Sequence, residues 1–202
     1  AGTNGTLTIC AGSTVTSAQL FAALGGSPAT GGTWSPALSG ANTYTYTVAA
    51  TAPCTTAATA QVVVSEQALP NAGTNGTLTI CAGSTVTSAQ LFAALGGSPA
   101  TGGTWSPALA GANTYTYTVA ATAPCTTAAT AQVVVSEQAL PNAGTNGTLT
   151  ICAGSTVTSA QLFAALGGSP ATGGTWSPAL GGANTYTYTC LLYTSPSPRD
   201  VS

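Results

Sequence analysis

Threonine alternates with apolar residues in short bursts along this chain, and the bursts predict strands. In Thr77–Cys81, TLTIC, Leu78 and Ile80 face one way and the threonines the other, the period of two of a half-buried strand. Cys81 directly follows Ile80, so a bulge or the strand end is expected there. Asn113–Ala121, NTYTYTVAA, is the clearest strand, with Tyr115, Tyr117 and Val119 on one face and Thr114, Thr116 and Thr118 on the other. Ala129–Glu137, ATAQVVVSE, predicts a further strand with Val133 and Val135 inward. Trp105 falls in a short strand within GTWSPAL, ended by Pro107. One stretch, TSAQLFAALGG from Thr87 to Gly97, has a different period. Thr87 and Gln90 match a capping box, Leu91, Phe92 and Leu95 share a helical face, and Gly96–Gly97 supply a stop. A helix of about two turns is expected.

Every element recurs. AGTNGTLTIC begins at Ala1, Ala72 and Ala143, a period of 71 residues, and before Cys190 the copies differ only at Ser39, Ala110 and Gly181. Each motif is therefore one motif seen three times. The reading divides the chain into 1–67, a first repeat short of its N-terminal part, and 68–138, a whole second repeat. Residues 139–189 are a third repeat short of its C-terminal part, and 190–202 are a tail. The junction ALPNAGTNG, Ala68 to Gly76, is rich in turn formers, with Ala68 and Leu69 expected to pack on a neighbouring unit. The tail abandons the repeat between Thr189 and Cys190 instead of varying its outer face, as a capping repeat would. Its segment CLLYTSPSPRD, Cys190 to Asp200, resembles the in-frame translation of a transposase sequencing adapter, and it is set aside for fold and function.

Charge narrows the function classes. The 202 residues hold one Lys or Arg and three Asp or Glu, and before the tail only Glu66 and Glu137 are charged. Nucleic-acid binding needs cations for phosphates, and none precedes Arg199. No apolar run approaches the length of a membrane span, so no membrane insertion is expected. There is no histidine, and one glutamate per repeat cannot form a carboxylate pair, so no catalytic residue, no cofactor site and no metal site is assigned. The chain is read as not an enzyme. Asn4-Gly5-Thr6, Asn75-Gly76-Thr77 and Asn146-Gly147-Thr148 are formal glycosylation sequons whose simplest role is turn geometry.

Cysteines fall in a fixed pattern: Cys10 with Cys54, Cys81 with Cys125, and Cys152 without a mate, because the equivalent position is Pro196. Two cysteines per small repeat point to one bridge per domain in an oxidising compartment. Cys10–Cys54 and Cys81–Cys125 are preferred to a Cys54–Cys81 link across the boundary, since a bridge inside a small unit constrains its unfolded chain where stabilisation is needed. Free buried thiols are the alternative.

The strand spacing favours an all-β fold of antiparallel sandwich type with one short helical turn per repeat. The segments NAGTNGTLTIC, AQLFAALGG, GGTWSPAL and TYTYTVAATAPC, within Asn71–Cys125, resemble the immunoglobulin-like repeats of large secreted or surface proteins of gliding Bacteroidetes. That resemblance implies tandem immunoglobulin-like domains, an extracellular or cell-surface location, and adhesin-like stalk modules. The expected function is a non-catalytic structural spacer. Its partners would be neighbouring repeats of the same chain, with cell-surface glycans or proteins as further candidates. The alternative is a carbohydrate-binding module appended to a secreted hydrolase, with Trp105, Tyr115 and Tyr117 as an aromatic platform. Exposure separates the two, because a platform faces solvent and a core does not. A regular threonine array of ice-binding type has only TYTYT in its favour.

Overall fold

The computed structural model describes residues 1–190; apart from Cys190, the tail lies outside them. The first repeat contains β1 (Gly5–Cys10), α1 (Ser17–Ala23), β2 (Thr33–Ser35), β3 (Thr43–Val48) and β4 (Ala58–Gln67). The second has β5 (Gly76–Cys81), α2 (Ser88–Ala94), β6 (Thr104–Ser106), β7 (Thr114–Val119) and β8 (Ala129–Gln138). The third has α3 (Ser159–Ala165), β9 (Thr175–Ser177) and β10 (Thr187–Thr189). By contact the described chain falls into two units, Ala1–Ile80 with Ser84–Ser136, and Cys81–Gly83 with the chain from Glu137 onward.

The class is mostly β, but each of the first two repeats forms one four-stranded sheet, ordered β1-β4-β3-β2 and β5-β8-β7-β6. In the first, β2–β3 and β3–β4 are antiparallel, whereas β1 runs parallel to β4, from Gly5 opposite Val62 to Cys10 opposite Gln67. Neither the all-antiparallel pairing nor the facing second sheet expected from the sequence is seen in these ladders. The reason is material. Only residues 36–42 join β2 to β3, too few for further strands, and the segment between β1 and β2 carries its apolar residues at helical spacing.

That helix supplies the second layer. Leu20 of α1 is fully buried in one cluster with Tyr44, Tyr46, Val62 and Val64. In the second repeat Leu91 packs likewise with Tyr115, Tyr117, Val133 and Val135. Burial of such side chains contributes about 1.5–3 kcal/mol each. The capping box forms as its residues dictate: Gln90 N–H donates to Thr87 Oγ1 at 3.3 Å and Thr87 N–H to Gln90 Oε1 at 2.9 Å. Along β8, Ala131, Val133 and Val135 turn inward while Val134 stays half-exposed. β5 ends at Cys81.

Two segments read as turns have fixed structural duties. Asn75 Oδ1 accepts Gln132 N–H at 2.8 Å, so its side chain extends the β5–β8 contact beyond the strand; Asn4 does the same for Gln61. In the junction, Asn71 Oδ1 accepts Gly73 N–H at 2.8 Å and its Nδ2 donates to the Gly97 and Ser98 carbonyls. Ala72 is buried in the core of the second repeat. Asn71 and Ala72 thus belong to the fold that follows them. Leu69 does not pack as expected; it is 59% exposed, like Leu140 at the next junction.

The third repeat is an internal comparison. After Thr189 the chain has no copy of ATAQVVVSEQ, the sequence of β4 and β8. Among the described residues, 147–152 form no strand, and β9 and β10 make a two-stranded sheet. Tyr186 and Tyr188 are half-buried there, whereas Tyr44 and Tyr46 are 0% and 2% exposed. The β4-type strand is what closes the core over the tyrosines.

Candidate functional site

The aromatic candidates come first, because burial decides between platform and core. Tyr115 and Tyr117 alternate inward on β7 and are 0% and 2% exposed. Each hydroxyl is tied to backbone. Tyr117 Oη accepts Gly103 N–H and donates to the Ala100 carbonyl, both at 2.8 Å. Tyr115 Oη accepts Ala110 N–H at 3.0 Å and donates to the Gly111 carbonyl at 2.8 Å. Gly103 is required for this closeness, since a Cβ there would lie 2.6 Å from both the Thr118 carbonyl oxygen and the Tyr117 ring. Trp105 is half-buried against Tyr117, centroids 4.9 Å apart, and Phe92 meets the same ring edge-on at 5.5 Å. Assigning Tyr115 and Tyr117 to a ligand platform is therefore corrected: both are core. The indole N–H of Trp105 is buried without an acceptor, as are those of Trp34 and Trp176, and nothing in the structure accounts for this.

The opposite face of the sheet is hydroxylated. Thr6 and Thr8, Ser65 and Thr59, Thr43, Thr45 and Thr47, and Thr33 and Ser35 stand on it across all four strands. Thr8 and Ser65 hydroxyls lie 3.2 Å apart and Gln61 Nε2 donates to Thr45 Oγ1 at 3.3 Å. The threonine pattern thus extends beyond the single TYTYT strand seen in the sequence. In a chain nearly without charge, this face supplies the polar contact with water.

The cysteines give a different answer from the one expected. Cys10 is bonded to Cys125, with Cα atoms 4.8 Å apart and a sequence separation of 115. Cys54, Cys81 and Cys152 are unpaired and exposed, and Cys190 is unpaired. The expected Cys10–Cys54 and Cys81–Cys125 bridges do not form, and the register explains why. Cys10 ends β1 opposite Gln67, the last residue of β4, whereas Cys54 lies just ahead of Ala58, the first. β4 has ten residues, and at about 3.3 Å each its ends stand roughly 30 Å apart. A disulfide needs Cα atoms within about 7 Å. The two cysteines of a repeat are at opposite ends of its sheet. The second cysteine of the following repeat is not: Cys125 Sγ lies 3.6 Å from the Gln67 carbonyl oxygen, and Cys125 is 6% exposed. Finding this from sequence requires the parallel β1–β4 register, which no local pattern encodes.

Charged groups do not converge. Glu66 and Glu137 are exposed at the ends of β4 and β8. Among the described residues no group of three His, Cys, Asp or Glu side chains gathers, and no helix is long and apolar enough to cross a membrane. A groove of about 790 Å³ in the third repeat is lined by Leu149, Ile151, Leu162, Leu166 and Tyr186 among others, and it corresponds to the place of the β4-type strand. No family model matches the chain, and no curated protein or solved structure is similar enough to it to count as a match.

Proposed function

We infer that the chain is a non-catalytic spacer built of tandem repeats, exposed outside the cell and belonging to a larger secreted or surface protein of adhesin type. One observation carries the reading: the bridge ties the end of one repeat to a loop of the next, so it serves the array and not the single domain. Persistence of such a bond calls for an oxidising compartment, which supports the extracellular location. A surface with few charges and inward-turned tyrosines is consistent with a module that holds position instead of binding a small ligand.

Each repeat is proposed to be an immunoglobulin-like unit reduced to one sheet and a helix. Three features support this. β2, β3 and β4 are consecutive antiparallel neighbours, as strands C, F and G are in that fold, and a tryptophan sits on the first of them. Tyr44, near the start of β3, donates its hydroxyl proton to the Gly40 carbonyl four residues upstream at 2.8 Å, in the manner of a tyrosine corner.

The test pairs shape with binding. Ala68, Leu69 and Pro70 are replaced by Gly, Ser and Gly, leaving Asn71 and Ala72 intact. The oxidised protein is expected to keep its maximum dimension in solution scattering and to bind no glycan on an array. Saturable glycan binding abolished by Trp105→Ala in an otherwise folded protein would overturn the spacer in favour of the binding module.

A further inference from the structure

Equivalent cysteines of this chain are in different states although their local folds are the same. The loops ahead of β4 and β8 turn alike: Cys54 N–H donates to the Thr51 carbonyl and Cys125 N–H to the Thr122 carbonyl, both at 3.0 Å. Yet Cys125 is bonded and 6% exposed, whereas Cys54 is unpaired and exposed. The strand ends carrying the first cysteine also match. Ala11 N–H donates to the Gln67 carbonyl at 2.9 Å and Ala82 N–H to the Gln138 carbonyl at 2.8 Å, but Cys10 is bonded and Cys81 is not. What distinguishes the bonded members is that another repeat supplies the partner.

We propose that Cys10–Cys125 is one link of a relay in which the first cysteine of every repeat is joined to the second cysteine of the repeat that follows. Cys54, Cys81 and Cys152 are then its open ends. Cys54 takes the first cysteine of a preceding repeat, and Cys81 and Cys152 each take the second cysteine of a following one. The partner is in each case another copy of this repeat. The period puts the mate of Cys81 at position 196, where the chain has Pro196. Each link forms one S–S bond from two Sγ–H groups. Two protons and two electrons pass to a disulfide oxidant, such as glutathione disulfide, which leaves as two thiols after thiolate attack and a mixed disulfide. A relay of this kind leaves no repeat joined to its neighbour by the junction alone. It goes beyond the spacer reading and does not depend on it, because an array that bound a ligand would give the same linkage map.

The map can be read with a protease specific for glutamate. Cleavage after Glu66 and Glu137 leaves Cys10 and Cys54 on one fragment, Cys81 and Cys125 on the next, and, in the 202-residue chain, Cys152 and Cys190 on the third. Two proteins are refolded in a glutathione redox buffer, alkylated with iodoacetamide and cut without reduction. They are the 202-residue chain and a longer one whose residues after Thr189 continue the period through the next ATAQVVVSEQ. In the first, mass spectrometry should find Cys10 joined to Cys125, with Cys54, Cys81, Cys152 and Cys190 alkylated. In the second, Cys81 should be protected and joined to the new cysteine at position 196, with the Cys10–Cys125 link in the same molecule reporting a folded chain. Cys81→Ser in the longer chain should release one additional thiol, at position 196, and leave Cys10–Cys125 unchanged. Alkylated Cys81 in a longer chain that keeps Cys10–Cys125 would overturn the relay. So would Cys10–Cys54 or Cys81–Cys125 links, or a thiol count unchanged by Cys81→Ser.

Discussion

Tyr117 joins a backbone donor and a backbone acceptor from one short loop through a single hydroxyl, deep enough that water cannot replace it. Tyr117→Phe keeps the ring and orphans Gly103 N–H and the Ala100 carbonyl. A loss of about 1–3 kcal/mol is expected in urea unfolding, because an unmade buried hydrogen bond costs more than a made one contributes. A loss near zero would show that the loop relaxes to water. Trp105 provides the contrast. Its indole N–H has no acceptor to lose, so Trp105→Phe should cost less than Tyr117→Phe. The reverse order would mean that the indole is held by contacts other than its N–H. At this scale the sequence was informative for the inward tyrosines and valines, whose alternation is local. It was silent on Val86, buried in a loop and donating its N–H to the Ala110 carbonyl at 2.7 Å. It was equally silent on Asn75, whose partner Gln132 is 57 residues away.

Among the elements, the helix was the most legible, since its capping box and its stop lie within one short stretch. Thr87→Ala removes the acceptor for Gln90 N–H and should cost about 1 kcal/mol. Thr87→Ser should restore most of it, and failure of serine to do so would place the effect in the lost methyl group. Legibility ended at the pairing of β1 with β4. Both segments read correctly as strands, but their order and parallel direction follow from the short β2–β3 loop and the helix that stands in for a second sheet. Alternation specifies a buried face without saying what covers it, and a helix covers it here as well as a second sheet would. The third repeat shows the weight of one element: without a β4-type strand its tyrosines lie half open. Continuing the period past Thr189 should bury Tyr186 and Tyr188, and their rings should gain near-ultraviolet circular dichroism like that of the first two repeats.

In the whole molecule, one bond, Cys10–Cys125, spans two repeats. Preference for a bridge inside each domain rested on the stability a small unit needs, and that argument ignores where the sheet places its ends. With Cys54, Cys81, Cys152 and Cys190 replaced by serine, the additional change Cys10→Ser should destabilise the protein by about 4–5 kcal/mol if loop entropy governs, given a closed loop of 115 residues. The most direct measurement is mechanical. In a single-molecule experiment pulling on the two termini, the oxidised chain should release less length than the reduced one. The deficit should be on the order of 400 Å, because the residues between Cys10 and Cys125 are shielded from force at roughly 3.3–3.6 Å each. Equal extension with and without reductant, or two shorter deficits each confined to one repeat, would contradict a spacer whose neighbouring repeats are tied by a shared disulfide.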